Sequence, residues 1–158
     1  GFVGNLKRTP QGGDMDQIRG VAAGEAKLAV ANSYYYGRML NSVLPEDVLV
    51  KDKVGIFFPN QKPRRGELSG AHVNISGGGV LASAPNAKGA QRLLEFLSSA
   101  EAQRMYADIN MEYPVNVAVP ESATLKAWGN FKPDSTPLSA LAAHAAEATR
   151  IADEAGWK

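Results

Sequence analysis

No cysteine occurs in the 158 residues, which excludes disulfide bridges, thiolate metal sites and cysteine nucleophiles together. Such a chain suits the cytoplasm or a bacterial periplasm equally. Histidine is almost as scarce: His72 and His144 are the two, so one chain cannot assemble a multi-histidine metal site. Each reads as a satisfied structural residue, His72 in an alternating segment and His144 among alanines. No apolar run approaches the roughly 18 residues of a membrane-spanning helix. Charge of one sign is missing too. With 17 basic and 16 acidic residues the net charge is +1, which leaves no electrostatic footprint for nucleic acid. Lys62, Arg64 and Arg65 around Pro63 form the densest basic cluster, and they read as a solvated loop. "SGGGV" has no Gly-Lys-Ser/Thr after it and opens no G-x-G-x-x-G helix, so it reads as a turn rather than a phosphate loop. Glu95, Glu101, Asp108 and Glu112 are spaced as helix-surface or first-turn charges, not as a catalytic pair.

What remains is an ordinary globular composition, 44% apolar and 21% charged, with strands and helices in alternation. "DMDQIRGVAAGEAK" predicts a helix capped by Asp14 or Asp16, with Ile18, Val21 and Ala22 apolar and an end near Gly24. "KLAVAN" predicts a short buried strand. "KVGIFFPNQ" predicts another, stopped by Pro59, and "AHVNISGGGVLASA" a strand or strand pair broken by its glycines. Two helical stretches follow, the first lined by Leu93, Leu94 and Leu97 and the second restarted by Ser98 or Ser99. "MEYPVN" is extended, as a residue before proline prefers. "PESATLKAW" and "PLSALAAHAAEATRIADEAG" predict helices opened at or near a proline. The alternation means an α/β fold.

Three of the five tyrosines are consecutive, in "AVANSYYYGRML". Neighbouring side chains on a helix point about 100° apart and on a strand they alternate faces, so at least one phenol must meet water or a ligand. Ser33 stands at an N-cap position for a following helix, which Gly37 weakens by about 1 kcal/mol relative to alanine. Deprotonated phenols are hard oxygen donors that suit hard cations. A helix N-terminus beneath them favours phenolates and an accompanying anion. Asn32 adds an amide donor, or simply caps the helix, and Arg38 lies one turn on from Tyr35. The ensemble reads as a ferric-ion site with neighbouring groups that tune it.

The chain resembles the periplasmic ferric-ion-binding proteins of bacterial ABC iron transporters, in their tyrosine-rich branch. "PQGGDMDQIRGVAAGE", "AVANSYYYGRML", "VGIFFPNQ", "HVNISGGGV", "LLEFLSSAEAQRMYA", "EYPVN" and "EAGWK" carry the resemblance in family order over nearly the whole chain. It implies a periplasmic-binding-protein-like, two-lobed (type II) α/β fold, of which this chain covers roughly the C-terminal half. By position, Tyr34 and Tyr35 match the adjacent iron-ligating tyrosines, with Tyr35 and Tyr36 as the alternative pair. Asn32 matches a residue that in some members helps hold carbonate or phosphate, and Arg38 one that compensates phenolate charge. Tyr36 matches an aromatic position that is not a ligand.

The same resemblance implies Fe3+ as cargo, with carbonate, phosphate or water completing its coordination. It also implies a periplasmic location, an ABC permease in the inner membrane as partner, and no catalysis. Residues 1–65 would be a second-lobe segment with the tyrosine motif. Residues 66–115 would cross the hinge and contribute to the first lobe, and 116–158 would return to the second. The chain starts at Gly1 without Met, as a processed or partial chain does, and the first-lobe ligands would lie upstream or on a second chain supplying that lobe. Three rival readings are weaker. One is a same-fold carrier of a small organic or oxyanion ligand. Another is a truncated assembly or interaction module without metal. The third is an enzyme using a Tyr–Arg pair, for which no base, nucleophile or cofactor motif is present.

Overall fold

The structure, a computed structural model, describes residues 1–62 and 69–157. Of the basic cluster, Pro63, Arg64 and Arg65 lie outside the described residues, as does the expected boundary between residues 65 and 66. Helices dominate what is described. α1 (Asp14–Ala22) starts where Gly13 donates its backbone N–H to the Asp16 carboxylate at 2.9 Å, and ends just before Gly24, whose φ of +81° suits glycine. α2 (Ser33–Leu40) carries the tyrosines. A 3₁₀ turn at Pro45–Asp47 leads into α3 (Val48–Lys53). α4 (Ala87–Leu97) is capped by the Asn86 side chain, and α5 (Ala100–Met105) by Ser99, the second of the two expected serines. A π turn, Tyr106–Asn110, continues α5. α6 (Ala123–Ala127) is capped by Ser122, and α7 (Leu138–Ala155) begins behind Pro137.

Two apolar clusters hold this together. α1, α2 and α3 pack pairwise and enclose Ile18, Ala22, Met39 and Val50. Across α2 from them, the π turn and α6 enclose Ala107, Met111 and Leu125. Beneath the first cluster Arg19 donates from Nε to the fully buried Asp47 at 2.8 Å, tying α1 to the start of α3. Burial pushes the Asp47 carboxyl up, but the Ser42 hydroxyl and the Arg19 guanidinium together hold it below the usual range. A junction further on joins distant segments. Phe58 stacks on Phe131 with centroids 4.1 Å apart, Tyr113 meets Phe131 edge-on, and Gln61 exchanges two hydrogen bonds with the Lys132 backbone.

The strands expected from the sequence do not form ladders among the described residues. Residues 27–31 are exposed, Leu28 by 71% and Val30 by 74%, and make no backbone hydrogen bond to another described residue. "KLAVAN" is therefore neither paired nor buried. In "KVGIFFPNQ" the alternation is real, since Val54, Ile56 and Phe58 are half-buried while Gly55 and Phe57 are exposed, yet no strand lies beside it. "AHVNISGGGVLASA" contributes one parallel bridge, Ala71 to Pro133, and residues 72–83 are exposed, His72 included. A strand is held by the groups it pairs with, and no neighbouring strand among the described residues supplies them.

Candidate functional site

The tyrosines enter α2 one residue earlier than the sequence suggests. Asn32, not Ser33, is the N-cap residue, with extended backbone at φ −71°, and Ser33 is already helical. Asn32 caps by position alone, because its side chain makes no bond back to α2. Both of its N–H groups turn instead to α1: the backbone N–H donates to Asp14 Oδ2 at 2.7 Å and Nδ2 donates to the same oxygen at 2.9 Å.

Helical rotation then divides the three tyrosines. Tyr34 packs on the Ala107–Met111–Leu125 cluster, whereas Tyr35 and Tyr36 pack on the α1–α3 cluster. Tyr36 is committed to structure: its hydroxyl donates to the Val54 carbonyl at 2.8 Å, its ring lies 5.9 Å from Trp128, and burial pushes its phenol up. Tyr34 and Tyr35 stay together, their rings 4.3 Å apart and tilted by 37°.

The Tyr34 phenol is pushed up to about 12, first by its hydrogen bond with Tyr35 and then by burial. The carboxylates of Asp14 and Glu112 add to that. A negative potential that keeps a phenol protonated is also one that attracts a cation, and a cation in turn releases the proton. No group of three or more His, Asp or Glu side chains able to hold a metal exists among the described residues.

Gly37 explains how α2 fits between the clusters. A Cβ there would lie 2.6 Å from Met111 Cβ and Cγ and 3.0 Å from Trp128. Met111 reaches it from a left-handed backbone, φ +59°, uncommon for a non-glycine residue. The glycine that weakens the helix locally is what lets Tyr34 reach its cluster. Arg38, on the next turn, is exposed and forms no ion pair among the described residues.

Asp14 and Glu112 are the site neighbours that sequence reasoning missed. Asp14 resembles an ordinary helix cap and Glu112 a surface charge, and the tertiary contact between α1 and the entry to α2 has no local signature. The tyrosine pair lies in neither of two surface hollows, one of about 250 Å³ beside Val3, Leu6 and Pro10, the other of about 110 Å³ between residues 27–33 and 54–57. Both tyrosines are half-buried.

Residues 4–133 match the family described as bacterial extracellular solute-binding protein. The whole chain is 48% identical to iron uptake protein A1 of Synechocystis sp., over 42% of that protein's length. It superposes with a TM-score of 0.85 on the Trichodesmium protein (IdiA, FutA) in complex with iron and citrate, at 49% identity, covering 99% of this chain and 48% of that one. On the ferric binding protein from Campylobacter jejuni the TM-score is 0.88 at 45% identity, covering 98% and 47%. The chain therefore spans less than half the length of these relatives. Its fold is that of the two-lobed binding proteins, of which it forms roughly half.

Proposed function

The chain belongs to the bacterial extracellular solute-binding proteins, and from that premise we propose that it carries ferric ion through Tyr34 and Tyr35. The observation that carries this reading is the Tyr34–Tyr35 ring pair in the first turn of α2, with centroids 4.3 Å apart and the Asp14 carboxylate bound to the neighbouring Asn32. Names of relatives support the cargo: iron uptake in Synechocystis, ferric binding in Campylobacter.

Fe3+ replaces the two phenolic protons, and the exposed Arg38 guanidinium compensates phenolate charge. Two phenolates leave an octahedral ion unfilled. Groups from the complementary lobe take the remaining positions, with carbonate, phosphate or water as additional ligands. Hinge closure of the opposing lobe around the ligand then buries the half-exposed pair. Residues 66–115 are the segment we assign to the crossing between lobes. The loaded protein then delivers iron in the periplasm to an inner-membrane ABC permease, without catalysis. No helix among the described residues is long and apolar enough to cross a membrane.

Retention of radioactive ferric iron through gel filtration tests the assignment. The Tyr34→Phe, Tyr35→Phe double variant keeps the rings and their packing but loses both donor oxygens. It is expected to lose retention while Tyr36→Phe keeps it. Equal retention by the double variant and the wild type would reject the reading.

A further inference from the structure

Residues 106–113 hold a run of local irregularities. Tyr106–Asn110 is a π turn, a form rare in helices and frequent at functional positions. Met111 follows in the left-handed region at φ +59°, which a residue with a Cβ seldom adopts. Tyr113 then buries its hydroxyl oxygen without a hydrogen-bond partner among the described residues. A phenylalanine would fill the same space without stranding a polar group, so packing does not account for the hydroxyl. The placing of Tyr113 does. On one side it packs, as Tyr34 does, on the Ala107–Met111–Leu125 cluster. On the other its ring meets Phe131 edge-on, 5.3 Å away, and Phe131 stacks on Phe58. Beside that stack the chain is tied across distant segments: Gly70 donates to Asn60, Ala71 to Lys132 and Asp134 back to Ala71, next to the Gln61–Lys132 pair. Both ends of the segment assigned to the lobe crossing therefore reach this junction, one at Gly70 and the other at Tyr113.

We propose that Tyr113 is a positioning residue that couples the tyrosine pair to the junction where the chain crosses between lobes. Its ring carries the contact, and its hydroxyl takes up a hydrogen bond when the pair is loaded. Tyr34 and Tyr113 rest on one cluster, and a close-packed cluster cannot yield at one side without moving what leans on the other. A ligand shifts a conformational equilibrium only by its difference in affinity for two arrangements. The stranded hydroxyl supplies such a difference, because it disfavours the empty arrangement and favours any in which it is bonded. Coupling is reciprocal, so a change at the junction is also felt at the tyrosines. The inference deepens the ferric reading and rests on it for its meaning, but one of its two tests needs no metal.

The first test compares Tyr113→Phe with wild type in ferric affinity, by charge-transfer absorbance, and in urea unfolding of the metal-free chain. Removing the stranded hydroxyl is expected to leave the unloaded chain at least as stable, while ferric affinity falls about fivefold, the worth of one neutral hydrogen bond. A residue that merely supports the fold loses both together or neither. Unchanged affinity overturns the inference, and so does a loss of affinity matched by a loss of stability. The second test reads the isotope-labelled ring of Tyr34 by NMR in the metal-free chain, its signals assigned by their absence from Tyr34→Phe. Phe131→Leu is expected to move them in the wild-type background and to leave them in place once Tyr113→Leu is present. Phe58→Leu disturbs the same stack and serves if Phe131→Leu does not fold. Signals that never move, or that move equally without the Tyr113 ring, overturn the inference. If wild type binds no ferric ion, the ferric reading alone fails and the NMR comparison still decides on Tyr113.

Discussion

Residues 13–54 and residues 72–97 have comparable apolar content and opposite fates. In the first stretch three helices close on one another, and Met39, Val50 and Asp47 have no exposed surface. In the second, an exposed run leads into α4, a helix with a clear apolar face and not one buried residue; Ile75, Leu81 and Leu93 all stand more than half exposed. A helix satisfies its own backbone and needs only an apolar neighbour, which α1, α2 and α3 provide for each other within about forty residues. A strand must borrow its partners. "LAVA", apolar on both faces, has the pattern of an interior strand in a sheet covered on both sides. The chain spans 42% of the length of its Synechocystis relative. The tyrosine motif sits on the self-sufficient side, which is why its geometry is defined here at all.

Variants sharpen this contrast, and urea unfolding of the chain measures each. Met39→Ala, at a site with no exposure, is expected to cost about 3 kcal/mol. Asp47→Ala removes one partner of a buried ion pair and costs about 2 to 3 kcal/mol, tempered because Arg19 retains some contact with water. Gly37→Ala gains up to about 1 kcal/mol of helix propensity but meets Met111, and the overpacking prevails for a net loss of about 1 kcal/mol. On the open side, Phe96→Ala changes stability by less than about 0.5 kcal/mol, because its ring is 44% exposed. Repeated in a two-lobed protein that covers α4, the same substitution should cost about 3 kcal/mol. A large loss in the isolated chain would instead mean that α4 is already buried.

The pH response follows the same division. Asp47 titrates below its unfolded value, so its contribution is present above that value and lost as pH falls through the folded one. Tyr34 and Tyr113 are both pushed up to about 12. Their contribution is complete below the ordinary phenol range near pH 10 and disappears as pH rises toward about 12. Tyr113→Phe should therefore flatten the alkaline limb of a stability–pH curve and leave the acid limb unchanged.

Much of the helical content is legible in the sequence because its signals are local. Ser99, Ser122 and Gly24 mark their boundaries, and Ile18 and Ala22 fall on the buried face of α1 as the spacing suggests. The strand segments are legible as pattern but not as structure, since pairing is a property of two segments and the second is missing from the described residues. In the site, the triple tyrosine stands out of the sequence by composition. What separates Tyr36 from the other two is tertiary: a hydrogen bond to Val54, eighteen residues on. The link between Asp14 and Asn32 spans the same distance, and nothing near either residue announces it.

The most direct test of the tyrosine assignment is a visible-absorbance titration with ferric citrate, run on wild type and on the Tyr34→Phe, Tyr35→Phe variant across several pH values. The account predicts a broad phenolate-to-iron charge-transfer band in wild type that weakens as pH falls, because each ligating phenol must give up its proton, and that is absent from the variant. A band of equal strength in both proteins would contradict it.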